Sequence, residues 1–200
     1  MPDESERYLS AEEESTLLQI ARDSLVAWVV EQRRLDDLSG YALTGRLTEK
    51  HGAFVTLRNR GELRGCIGYT ANREPLAEAV RDNAINAATR DFRFSSVTPA
   101  EVEDITIEIS ALAPGDTPET PFRRVNDVSD IQIGRDGLYI ERPPAPGGLL
   151  LPQVAVEQGW DVPQFLSAVC RKAGYPDQSW ESPDTRLHRF SAQVFHEPRA

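Results

Sequence analysis

Apolar positions recur at helical spacing from the start of the chain: Leu17, Ile20, Ala21, Leu25 and Trp28. Ser10 precedes them, with Glu13 three positions on, which reads as a capping box. The spacing predicts a helix from Ser10 to about Leu35, ending before Gly40. Residues 1–9 read as a loose acidic arm. The period then changes. Residues 53–57 form a β-rich run, RNRG is a turn in which Asn59 and Gly61 can take positive φ, and residues 62–69, ELRGCIGY, return as the second strand of a hairpin. A second helix starts at Pro75 and buries Leu76, Ala79, Val80, Ala84 and Ala87, small residues that let a helix lie close to a sheet. DFRFSSVTPAEVED follows as an ordered loop, with Thr98, Pro99 and Glu101 signalling a short helical turn. ITIEISAL alternates, placing Ile105, Ile107, Ile109 and Ala111 on one face and Thr106, Glu108 and Ser110 on the other.

The Pro-rich stretch 113–121 marks a crossing between subdomains. Beyond it, IQIGRDGLYI reads as a hairpin turning at GRDG, and ERPPAPGG as an extended loop. Pro152 opens a helix that Gly159 stops, and Asp161 caps another carrying Phe165, Leu166, Val169 and Cys170. Gly174 ends that helix, and RLHRFSAQVFHE is the last strand.

Within the hairpin, alternation puts Leu63, Gly65, Ile67 and Tyr69 on one face and Arg64, Cys66 and Gly68 on the other. Residues two apart on a strand are separated by roughly 6–7 Å, so a guanidinium and a thiol can address one small ligand. An adjacent arginine also predicts a depressed thiol pKa. Each residue has a plain packing role as well: Cys66 as a small hydrophobe, Arg64 as the strand partner of Glu108, and the glycines as marks of a bulge or of a close helix contact. The candidate chemical set is Cys66, Arg64 and Glu108. The candidate binding set is Arg64, Gly65, Gly68 and Ser110.

Composition narrows the reading. The 200-residue chain carries a net charge of −10, which argues against a dedicated nucleic-acid binder but leaves room for a local basic pocket. Two cysteines do not make a disulfide scaffold. The acidic N-terminus is no signal peptide, and no apolar run reaches the ~20 residues of a membrane span; a cytoplasmic protein without membrane contact is expected. His51, His188 and His196 lack metal-ligand spacing, so no metal site is expected.

Taken in order, LRGCIG, the Pro75–Leu76 start of an alanine-rich helix, DFRF, IEIS, GLYI, LLPQVAVEQGWD, FL, CRKAG and a closing F-x-E resemble the AMME chromosomal region candidate family (the AMMECR domain). They are similar to its bacterial and archaeal members, called AmmeMemoRadiSam protein A. The resemblance covers residues 11–197. Two places depart from the family's pattern: RFSS at Arg93–Ser96 stands where an RFPP-like run is usual, and Tyr175 stands where Leu is usual. The resemblance implies an α+β fold of two unequal subdomains with antiparallel sheets and packed helices. The larger would hold residues 1–48 and 114–200, and the smaller, 49–113, would carry the hexamer LRGCIG near the junction. It also implies, as partners in a modification pathway, a Memo-type protein and a radical S-adenosylmethionine enzyme, and a role in nucleic-acid metabolism has been suggested for the family. Neither the residues nor the resemblance specifies a cofactor, a substrate or an oligomeric state. Two functions follow as expectations: a cysteine-dependent enzyme with Cys66 as nucleophile, Arg64 as anion clamp and Glu108 as proton acceptor, or a binding module that docks a ligand or partner through the hexamer face.

Overall fold

The computed structural model describes residues 7–117 and 119–198. Helix α1 spans Ala11–Val29, and the Ser10–Glu13 capping box forms in both directions. The helix stops well short of residue 35. Gln32 turns left-handed (φ 55°), and its side-chain amide donates to the Val29 carbonyl, satisfying an end that would otherwise go unpaired. Trp28 is 39% exposed, and Ala27 and Val29 take the buried positions of the last turn. Upstream of the helix, Leu9 is fully buried and exchanges backbone hydrogen bonds with the Gln193 side chain. The expected loose arm is therefore tied down at its C-terminal end; residues 1–6 lie outside the described residues.

A short helix, α2 (Gly45–Thr48), leads to strands β1 (Ala53–Asn59) and β2 (Glu62–Tyr69), then helix α3 (Leu76–Thr89), a 3-10 turn (Pro99–Asp104) and strand β3 (Ile105–Leu112). β1 pairs antiparallel with both β2 and β3. The turn between β1 and β2 puts Arg60 (φ 51°) and Gly61 (φ 89°) in the left-handed region. Asn59, expected there, is held in the strand by pairing with both Glu62 and Ile105. α3 packs its apolar stripe on these strands and touches α1 on its other side, which is why most of its residues are buried. Asn83, inside that layer, donates to the Ala53 carbonyl. The core gathers Leu17, Ile20 and Leu25 of α1, Val55 and Leu57 of β1, Val80 and Ala84 of α3, and Ile107 and Ile109 of β3.

After Leu112 come β4 (Arg123–Arg124), β5 (Asp136–Arg142), β6 (Ala145–Leu150), α4 (Pro152–Gln158), α5 (Val162–Lys172) and β7 (Arg186–His196). β5 pairs with β6 on one side and β7 on the other, and β4 pairs with β7. Residues 131–135 are not a strand. The Asp136 carboxylate accepts from the Gln132 N–H and the Arg135 guanidinium, and this holds the segment as a turn. The hairpin forms one step later: Pro143 and Pro144 make its tip and APGG opens its returning strand β6, whose proline is tolerated at a sheet edge. Gly159 ends α4 in the left-handed region, and Asp161 with Gln164 caps α5. Phe165, Leu166, Val169 and Cys170 of α5 pack with Leu138, Ile140 and Leu187, so Cys170 is a core residue. The mixed α/β architecture with antiparallel strands and packed helices agrees with the expected fold class.

The chain divides into two compact units. The described residues up to Leu112, with those from Gln193 on, form one, and Ala113–Ala192 the other. The boundary after Leu112 falls at the start of the Pro-rich stretch. The partition differs from the expected 49–113 excursion, because α1 lays its stripe against α3 and β3 and so belongs with the hairpin. No described helix is long and apolar enough to cross a membrane.

Candidate functional site

The hexamer lies on β2, at the end of the strand order. Its register against β1 jumps: Leu57 pairs with Gly65 but Arg58 with Leu63, leaving Arg64 as the extra residue of a bulge. The bulge breaks the alternation expected for this strand. Leu63, paired with Arg58, turns outward (37% exposed), while Leu57, paired with Gly65, is fully buried, so Leu63 is not a core residue. Gly65 permits a close approach: a Cβ there would lie 2.1 Å from the Ala87 carbonyl oxygen of α3. At Gly68 a Cβ would meet the backbone and ring of Phe54, its cross-strand partner.

Arg64 is fully engaged. Its Nε donates to Glu101 Oε1 (2.7 Å) and its Nη2 to Glu101 Oε2 (3.3 Å), while Nη1 and Nη2 reach the carbonyls of Ser95 and Ser96. Phe94 lies under the guanidinium at 5.9 Å. The expected pairing with Glu108 does not form. Glu108 sits across Thr56 from Cys66 and faces Arg58 at 3.9 Å, because the bulge sends Arg64 toward the 95–101 segment. Arg64 pulls the Glu101 pKa down to about 2, helped by the Thr98 N–H. Ser110 is buried in the Phe54–Gly68 row, two strands from the hexamer.

Cys66 is half-buried. Its backbone N–H donates to Asp91 Oδ2 (2.8 Å), which closes this point of the strand edge, and the Thr56 hydroxyl lies 3.2 Å from Sγ. Burial pushes the thiol pKa up, and the bond from Thr56 and the charge of Arg93 offset this only in part. The depressed thiol expected from Arg64 is therefore reversed: the cation that reaches the sulfur is Arg93. Alkylation of Cys66 by iodoacetamide is expected to follow a thiolate that forms above the ~8.5 of a free thiol. A rate profile with its midpoint below that value, lost in Cys66→Ser, would contradict this environment.

Asp91 and Arg93 carry roles that residue spacing did not expose. Asp91, 5% exposed, accepts from the Arg93 side chain at 2.9 and 2.6 Å, from the Arg93 N–H and from the Cys66 N–H. These bonds, Arg93 foremost, hold its pKa at about 2 against burial. Phe92 between them is 96% exposed. An acid two residues before an arginine, directly after a helix end, was the available signal, yet only the fold shows what the acid meets. Both cysteines are free thiols, and no cluster of three or more His, Cys, Asp or Glu suited to a metal occurs among the described residues. In the other unit, the departure at Tyr175 is accounted for: its hydroxyl donates to the Pro146 carbonyl and accepts from the Arg142 N–H, pinning the hairpin.

This fold and hexamer define an AMMECR-type domain. The profile of the AMMECR1 family matches residues 18–195, and the chain belongs to that family. A protein of Methanothermobacter thermautotrophicus is 44% identical over 192 residues, covering 94% of this chain and 96% of its own. Protein MK0488 of Methanopyrus kandleri is also 44% identical, with 94% and 90% covered. The crystal structure of the uncharacterized protein PH0010 from Pyrococcus horikoshii superposes with a TM-score of 0.81 at 34% identity, covering 90% of this chain and 89% of that one.

Proposed function

We propose that this chain is a cytoplasmic binding module that docks a protein partner through the loop its hexamer fixes in place. Its partners would be the Memo-type protein and the radical S-adenosylmethionine enzyme that the family resemblance implies for a shared modification pathway. The observation that carries the reading is Phe92, an almost fully exposed aromatic on a loop fastened from both sides. Asp91 anchors one side through Cys66 and Arg93. Arg64 anchors the other through Ser95, Ser96 and Glu101. A large apolar side chain left in water forgoes roughly 2–3 kcal/mol of burial, and a fixed loop loses little further entropy on docking.

The cysteine-dependent alternative draws less support. Its anion clamp, Arg64, is already occupied by Glu101 and two carbonyls, its thiol is held protonated by burial, and its proposed base, Glu108, faces Arg58. The test is capture of purified Memo-type and radical S-adenosylmethionine proteins from the same organism by the wild-type chain and by Phe92→Ala. Phe92→Ala should weaken binding about tenfold or more while leaving the melting temperature unchanged. Equal affinity in the two chains would overturn the docking role of the loop.

A further inference from the structure

The second unit holds a recess of about 510 Å³ lined by Arg124, Arg142, Arg186, Pro143, Pro183 and Asp184. We propose that it binds a small phosphorylated molecule through Arg124, Arg186 and Arg142, the last held in place by Thr185. Three guanidiniums and one carboxylate, Asp184, line the recess, with Glu141 beside Arg186, in a chain whose net charge is −10, so basic character is concentrated here against the trend of the whole molecule.

The strand registers explain the convergence. Arg124 of β4 pairs with His188 of β7, and Arg186 lies two residues before His188 and opposite Glu141. Paired residues and residues two apart share a face, so Arg124 and Arg186 project from the same side of the sheet. Arg142 arrives from the tip of the β5–β6 hairpin. The Thr185 hydroxyl accepts from its Nε (3.3 Å) and Nη2 (3.0 Å), and the Tyr175 ring lies 5.3 Å from the guanidinium carbon. This arrangement orients the group and leaves Nη1 without a hydrogen bond among the described residues. Arg186 reaches Glu141 only at 3.8 Å, beyond hydrogen-bond distance. The Arg124 side chain makes no hydrogen bond or ion pair among the described residues. The positive field extends to His188, whose pKa is lowered by burial first and then by Arg124 and Arg186, with Glu141 and Asp116 opposing.

Phosphate matches this geometry because its three terminal oxygens accept the forked donors of several arginines at once. A small ligand is favoured over a nucleic acid, because the acidic chain repels an extended polyanion that one recess cannot shield.

Calorimetric titration of the full chain with pyrophosphate, inorganic phosphate and citrate, at low and at physiological salt, tests the site. Saturable one-site binding of pyrophosphate is expected, tighter than that of citrate. Arg124→Ala and Arg186→Ala should each weaken it about tenfold or more, the scale of one lost charged hydrogen bond, with an unchanged melting curve. Arg171→Ala, at an exposed arginine paired with Asp177, should leave it unaltered. Absence of saturable binding, equal weakening by Arg171→Ala, or tighter binding of a short single-stranded oligonucleotide than of pyrophosphate would each overturn the proposal.

Discussion

Gly65→Ala is expected to destabilise the protein by about 3 kcal/mol or more, at the upper end of overpacking effects. The new methyl would stand 2.1 Å from the Ala87 oxygen and 3.0 Å from its carbonyl carbon. Both are backbone atoms of a helix held between strands and α1, so no side-chain rotation relieves the clash and α3 itself has to move. Gly40, with nothing within 4 Å of a built Cβ, supplies the control: Gly40→Ala should stay within about 0.5 kcal/mol of wild type. Urea unfolding midpoints measure both. Similar midpoints for the two variants would show that the helix does not rest on this glycine.

Loss of the Arg64 fork is the second large effect. Arg64→Lys keeps the charge but cannot hold both Glu101 oxygens and two carbonyls together. It should lose about 1–3 kcal/mol, and Arg64→Ala more, because acceptors are left unpaired. A double-mutant cycle with Glu101→Gln should return a coupling of about 1 kcal/mol or more. The pH dependence has a definite sign. The Glu101 pKa is depressed to about 2 in the folded chain, so its stabilisation is fully present above the unfolded carboxylate value of ~4.3 and is lost as pH falls toward 2. Asp91, also at about 2, behaves in the same way. Wild type should therefore lose stability between about pH 4 and pH 2, and Glu101→Gln should lose less over the same window. Parallel profiles for the two chains would remove Glu101 from the acid response.

Local features were legible in the sequence because neighbours a few residues apart decide them. The capping boxes at Ser10, Thr98 and Asp161, the alternation of Ile105 to Ala111 and the small-residue stripe of α3 all follow from side chains meeting their own backbone or their own element. Gly65 was readable as a point of close approach for a related reason: a strand that carries glycine and leads into an alanine-rich helix has little side-chain bulk to keep the two backbones apart. A bulge was one reading of the strand's glycines, but its place at Arg64 was not readable, since alternation assumes an unbroken register. Arg64 meets Glu101 across 37 residues, and Asp91 meets the Cys66 N–H across 25. Periodicity carries no information about such pairs, because their geometry depends on where α3 ends relative to the strand it covers. The thiol's environment followed suit: an arginine two residues away in sequence suggested a lowered pKa, whereas burial, with the charges of Asp91 and Glu108, raises it. Most elements, their caps and the family could thus be read from the order of residues, because each depends on short-range chemistry or on motifs laid end to end. Which charges meet, which side of the hexamer is sealed and that Phe92 is left facing water emerged only in the folded chain, since these depend on contacts made when distant segments close on one another.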